Sequence, residues 1–161
     1  MEINFATSRR GERILQITDA KLRFRNFSGR GDKFNREGDR NFSLLITDDE
    51  TVEALKNDVN EYGAGWNVKI KVREDEDPFM HMPVKVKFTA FSPNVYLKSG
   101  DNEAIKLTEE TIDILDQISI ASVDLDIRAY DDSINGKGFR SAYLQGMYVV
   151  QDVEYDRFAN R

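Results

Sequence analysis

Hydrophobic and polar residues alternate with a period of two over most of this chain, the signature of β-strands with one buried face. In AKLRFRNF, Leu22 and Phe24 fall on one face, and Lys21, Arg23, Arg25 and Phe27 on the other. WNVKIKVR sets Trp66, Val68, Ile70 and Val72 against Asn67, Lys69, Lys71 and Arg73. PVKVKFTAF repeats the arrangement, with Val84, Val86 and Phe88 opposite Lys85, Lys87 and Thr89. NFSLLI, NVYLKS, SVDLDIRAY and FRSAYLQGMYVVQDV read as further strands. In two places the period becomes helical. TDDETVEALKNDVNEYGAG opens with Thr47 and Glu50 as a capping box, then presents Val52, Leu55, Val59 and Tyr62 before a stop at Gly63. TEETIDILDQI starts at Thr108 and offers Ile112, Leu115 and Ile118 as one stripe. Turn-forming segments SGRGDKFNREG, EDEDPFMHMP, SGDNE and DDSINGKG separate the elements.

About six to eight strands and two short helices, with no linker or break in composition, predict a single domain over residues 1–161. The expected class is mainly β: an oligonucleotide/oligosaccharide-binding (OB)-like barrel with helices plugging its ends. A β-sandwich with two accessory helices is the other arrangement this pattern allows. The longest apolar runs, such as LLI and MYVV, are far too short to span a bilayer, and MEINFATSRRGER lacks the apolar core of a secretory signal. With no cysteine, disulfides and thiolate zinc sites are excluded, and a reducing, cytoplasmic setting is expected.

Charge changes the picture more than composition does. The net charge is -6, yet residues 1–46 carry ten basic and six acidic groups, and the remainder thirteen and twenty-three. Such asymmetry can steer a polyanion to one end of a molecule. It is sharpest in KLRFRNFSGRGDKFNREGDRNF, residues 21–42, where seven basic residues face three acids and four phenylalanines are interleaved. Three candidate strands present almost only Lys and Arg on their polar faces: 21/23/25, 69/71/73 and 85/87. Lysines also protect edge strands from aggregation, and the EDED run at 74–77 could neutralise these, but a common polyanionic ligand explains all three together.

A single-stranded nucleic acid fits that description, because its phosphates take a basic groove and its unstacked bases take flat rings. The candidate phosphate ligands are Lys21, Arg23, Arg25, Arg40, Lys69, Lys71, Lys85 and Lys87, with Arg30, Lys33 and Arg36 on a mobile loop. Phe27, on the basic face of its strand, and Phe34, inside that loop, are the candidate base-stacking rings, and Tyr96 is an outlying platform. Trp66 reads as core. His81, the one histidine, reads as structural, since a zinc site without cysteine would need several carboxylates around it. No metal or other cofactor is expected. No glycine loop ends in the Lys-Ser/Thr pair of a P-loop, and RGD at 30–32 has no adhesive use in a cytoplasmic chain. Asp124, Asp126, Asp131 and Asp132 could hold magnesium in a nuclease, or could line a solvent-facing strand and turn. From a different class, the acidic remainder could dock a basic partner protein.

The segments FRNFSG, NREGDRNFSLLI, GWNVKIK, PVKVKF and LDIRAYD…NGKGFRSAYLQGMYVV are similar, in order and over most of the chain, to small single-stranded DNA-binding proteins of tailed bacteriophages. NREGDRNF and AYLQ are the most specific of these. The resemblance implies an OB-class barrel, a non-enzymatic role coating DNA in phage replication or recombination inside the bacterial host, and contact with other phage proteins. Homodimerisation would add multivalency along one strand. Two departures stand out. The chain ends VEYDRFANR, mixed in charge, where many replicative single-strand binders carry an acidic tail. A helix after the second strand differs from the simplest barrel order, in which three strands precede it.

Overall fold

The computed structural model describes residues 1–153. Its elements run β1 (Glu2–Thr7), β2 (Arg13–Thr18), β3 (Leu22–Asn26), β4 (Arg40–Ile46), α1 (Asp49–Asn57), β5 (Lys69–Lys71), β6 (Phe79–Val86), β7 (Asn94–Lys98) and β8 (Ile105–Leu107). A 3₁₀ turn (Ile112–Asp116) then leads into β9 (Ile120–Ile134) and β10 (Lys137–Gln151). The ten strands form one mixed sheet whose main path is β1-β2-β9-β10-β6-β4-β3. On branches, β5 pairs with β6, β7 with β10, and β8 with β7. The path ends at β1 and β3 and does not close. The expectation of a mainly β fold holds, while the expected OB-like barrel of about six to eight strands is here an open sheet of ten. Four strands, not two or three, precede the helix, because EINFAT and RILQIT form an N-terminal hairpin.

The backbone of the sheet is the long β9–β10 hairpin. Its two-residue loop is Asn135-Gly136, with φ 53° and 79°, the left-handed pair a type I′ turn demands. Inward residues of several strands build one cluster, including Leu15, Phe27, Phe42, Leu44, Met82, Val84, Ile127 and Val149. A register shift between Leu144 and Gly146 marks a bulge at Gln145, inside AYLQ. It keeps Ala142 and Leu144 inward before the bulge, and Met147 and Val149 inward after it.

Both expected helices shrink. The N-cap of α1 is Asp48, whose carboxylate accepts from Thr51 N at 2.9 Å, rather than Thr47. The helix stops at Asn57, so Val59 and Tyr62 lie beyond it and are exposed. The second helix is one 3₁₀ turn that buries Ile112 and Leu115. A buried ionic network ties α1 to the sheet. Asp58, just past the helix, accepts from Arg13 Nη2 (2.8 Å), Trp66 Nε1 (2.9 Å) and Arg140 Nη1 (3.1 Å), while Arg140 also pairs with Asp131 at 2.8 Å. Trp66 is core, as its pattern indicates. WNVKIKVR, however, pairs only over three residues, and Ile70 and Val72 lie 60% and 72% exposed, because β5 is a short edge strand paired with β6 alone. Among the described residues no helix is long and apolar enough to cross a membrane.

Candidate nucleic-acid interface

The outer face of β6 organises the site. Its inward residues Met82, Val84 and Val86 are buried, so Phe79, His81, Pro83, Lys85 and Lys87 alternate onto the opposite face. β5 pairs Lys69 with His81 and Lys71 with Phe79, which sets two ammonium groups beside two rings. On the other flank, β4 carries β3, whose Arg23 pairs with Ser43.

At this point β3 departs from simple alternation. The register slips between Arg23 and Asn26, so Phe24 and Arg25 together oppose one residue of β4. Phe24 takes φ 54°, a left-handed conformation that an aromatic residue rarely adopts. The slip reverses the expected facing of three side chains. Phe24, expected inside, is 44% exposed. Phe27, expected to stack bases, is wholly buried against Phe42, with ring centroids 5.4 Å apart. Arg25 turns to the 3₁₀ turn and donates to the carbonyls of Leu115 (2.8 Å) and Ile118 (2.9 Å). Asp116 answers by accepting from Phe27 N, Ser28 N and Ser28 Oγ at 2.8–2.9 Å. Phe27 and Arg25 are thus structural, and Phe24 is the ring the outer face presents.

Phe24, Phe79 and His81 form a triad with centroids 5.8–6.1 Å apart. Arg23 lies 4.9 Å from the Phe79 centroid, and Arg73 lies 5.4 Å from that of Phe24. Lys69, Lys71, Lys85 and Arg23 make no ion pair among the described residues; Arg73 reaches Glu76 at 3.4 Å, the one pair the EDED run makes. Burial, reinforced by the nearby Lys69 and Lys71 charges, pushes the His81 imidazole below its ordinary pKa, while its Nδ1 lies 3.0 Å from Ser43 Oγ. His81 is half-buried and lines a groove beside Lys69 and Lys71. The sequence pattern gives Phe79 no role and His81 a structural one, because EDEDPFMHMP carries turn-forming residues. Extending the PVKVKF alternation back by four residues puts both on the face of Lys85 and Lys87.

The loop between β3 and β4 closes one wall of a groove of about 1020 Å³, floored by Phe24, Lys69, Lys71 and His81. Expected to be mobile, it is instead stapled from within. Asn35 Nδ2 donates to the carbonyls of Arg30 (2.8 Å) and Asp39 (3.0 Å), and its Oδ1 accepts from Asn41 (2.9 Å). Asp32 Oδ1 accepts from Phe34 N and Asn35 N, both at 2.7 Å, and Glu37 from Gly31 N at 2.7 Å. These residues give NREGDRNF a physical meaning: they hold the loop's shape. Phe34 projects from its tip, 92% exposed, with Lys33 Nζ 5.9 Å from its centroid. Arg30 lines the groove.

Other expected cations are spoken for. Arg40 donates to Phe27 O at 3.0 Å and pairs with Glu109 at 3.5 Å. Asp39 sits 3.9 Å from Arg36 and 3.6 Å from Lys87. Lys21 pairs with Asp19 at 3.8 Å and lies by a separate cleft beside β9. Tyr96 is exposed but faces a groove shared with Asp124, Asp126 and Tyr148, away from Lys69 and Lys71. The carboxylates expected to gather around magnesium are dispersed. Asp131 binds Arg140, Asp124 accepts from Asp19 N (3.0 Å), Asp132 points to the opposite face from Asp131, and no metal-holding group of acids and histidine occurs among the described residues.

The outer face continues from β6 onto β10. Tyr143, of AYLQ, pairs with Lys85, whose Nζ lies 5.6 Å from the tyrosine centroid. Tyr130 stands edge-on to Tyr143 at 6.1 Å and tilted against Phe139 at 6.4 Å. None of these rings is evident as a site in the sequence, since strand alternation alone does not say which wet face carries ligand.

A groove that sets cations beside flat rings has the chemistry a single-stranded nucleic acid requires. The chain belongs to the family described as "Putative phage ssDNA-binding domain", whose model matches residues 6–160. It is a phage single-stranded DNA-binding domain, and single-stranded DNA is its partner. Similar solved structures include the single-stranded DNA-binding protein from bacteriophage Enc34 with its C-terminus truncated, at 13% identity and TM-score 0.48, covering 94% of this chain and 96% of that one. The same Enc34 protein in complex with ssDNA matches at 14% identity and TM-score 0.48, with the same coverage. No curated protein matches the chain.

Proposed function

We propose that the protein coats single-stranded DNA with little sequence preference, as a binder that does no chemistry, in phage replication or recombination. The strand runs along the groove between the β3–β4 loop and β5. Arg23, Arg30, Lys69, Lys71 and Lys85 hold phosphates, with Lys33 adding to them at the loop tip. Phe24, Phe79 and Phe34 stack bases, which discriminates little between them because every base has a π-face. The observation that carries this reading is the Phe24–Phe79–His81 triad, with Phe24 exposed and Phe79 and His81 half-buried, beside Arg23, Lys69 and Lys71, which make no ion pair among the described residues. Binding energy that rings and cations share this way needs no base-edge hydrogen bond. We read the fold as related to the OB-like class, a reading supported by the helix between β4 and β5 and by the single core the sheet covers.

Fluorescence anisotropy of end-labelled oligothymidylate, a mixed-sequence strand and its duplex tests the proposal. Similar affinity for the two single strands, and a clear preference over duplex, is the expected result. Equal affinity for duplex would overturn it.

A further inference from the structure

Beyond Tyr143 the outer face leads to a second, smaller cavity, of about 320 Å³, between the β1–β2 turn and the β6–β7 loop. We infer that this cavity is a second subsite for the same DNA strand, taking one nucleobase against Phe91 and its phosphate against Arg9 and Arg10. The inference rests on the functional reading above and extends the strand's path past the first groove.

Three observations carry it. First, cations and rings alternate from Lys85, on the same face of β6 as His81, to the second cavity. Lys85 lies over Tyr143 at 5.6 Å, Arg128 lies 5.1 Å from Tyr143 and 5.7 Å from Phe91, and Arg10 stacks on Phe91 at 4.1 Å. Second, Phe91 is 50% exposed yet held in place. Ala90 takes φ 62°, Phe91 N donates to Thr89 O at 2.7 Å, and Ser92 Oγ donates to Phe88 O at 2.7 Å, so the loop is built to carry an outward ring. A pre-positioned ring loses little entropy when a base stacks on it. Third, the lining suits a nucleotide rather than a purely anionic or apolar guest. Arg9 and Arg10 are exposed and make no ion pair among the described residues, Arg128 is balanced by Glu12 at 3.3 Å, and Asn94 and Gln145 supply neutral amides that match a base edge. Immediately past Gln145, Asp124 and Asp126 line the next groove, where a phosphate would be repelled. The acids mark where the strand leaves the surface.

Anisotropy with a six-nucleotide and a fifteen-nucleotide oligothymidylate separates the two subsites. Arg10→Ala and Phe91→Ala, both at exposed positions, should leave the six-nucleotide affinity unchanged. Phe91→Ala should weaken the fifteen-nucleotide complex by about 5- to 150-fold, the loss of one base stack. Arg10→Ala should lower its salt slope by about 0.7. Unchanged fifteen-nucleotide binding in both variants, with melting temperatures intact, overturns the second subsite. Equal weakening of both lengths also overturns it, since the cavity would then be part of the primary site. Failure of the underlying reading looks different: Phe24→Ala and the paired change of Lys69 and Lys71 to Ala would then leave the six-nucleotide complex unaffected.

Discussion

Removing the two β5 ammonium groups together, by Lys69→Ala and Lys71→Ala, gives the most quantitative test of the groove. Both side chains are exposed and make no ion pair among the described residues, and both stand on the face shared with Phe79 and His81. Their loss should therefore leave the fold alone and act on DNA. If Arg23, Arg30, Lys69, Lys71 and Lys85 each neutralise one phosphate, log affinity for a single strand falls with log salt at a slope of about -3.5. Deleting two contacts brings the slope to about -2.1. Between 50 and 200 mM salt the native protein should lose affinity by about 130-fold and the variant by about 18-fold. Anisotropy titrations at four salt concentrations resolve that difference easily. Lys56→Ala with Lys106→Ala is the control, since it removes the same net charge from α1 and β8, outside the groove. An unchanged slope in the β5 variant, or an equal change in the control, would refute the assignment of these lysines to phosphates.

The two phenylalanines of β3 should behave in opposite ways. Phe24→Ala should keep the melting temperature and weaken DNA binding by about 1–3 kcal/mol, whereas Phe27→Ala should cost about 3–5 kcal/mol of stability in a denaturant titration. Asp58→Ala should destabilise by about 1–3 kcal/mol, because Arg13, Trp66 and Arg140 each lose an acceptor while Arg140 keeps its pair with Asp131. Burial alone would raise the Asp58 and Asp131 pKa values, but the Arg13 and Arg140 partners outweigh it and hold both carboxyls below their ordinary range. The unfolded chain then binds more protons, so this stability is full above about pH 4 and is lost as pH falls through the folded values; acid melts of Asp131→Asn should show a shallower decline. His81 titrates in the other sense. Its lowered pKa means that the free protein resists its protonation, while a bound phosphate offsets Lys69 and Lys71 and favours it, so affinity should rise as pH falls from 7 to 5.5 and His81→Gln should flatten that rise.

Much of the fold was legible in the alternation of single segments. PVKVKF, NVYLKS and the two long terminal strands have the inward and outward faces that period two assigns them. Their assembly was not, because nothing local states that β6 takes β4 on one side and both β5 and β10 on the other. The site shows the same division. Of the cations and rings the sequence singles out, Arg30, Phe34, Lys69 and Lys71 line one groove, with Arg23 and Lys85 on the strands beside it. One bulge at Phe24 and Arg25 was enough to exchange the buried and exposed rings of β3, and a bulge has no reliable sequence signal when its left-handed residue is phenylalanine instead of glycine. Arg25 and Arg40 were legible as cations but not as the capping and bracing groups they are, since their carbonyl acceptors come from elsewhere in the chain. The mixed-charge end, VEYDRFANR, lies, from Glu154 onward, outside the described residues.

Photo-crosslinking of an oligothymidylate carrying 5-iododeoxyuridine, read by peptide mass spectrometry, addresses the central claim directly. Adducts on Phe24, Phe79, Phe34 or Tyr143 are the result expected if DNA lies on the face of β6 and its neighbours. Adducts confined to Tyr96 and Tyr148, beside Asp124 and Asp126, would contradict it.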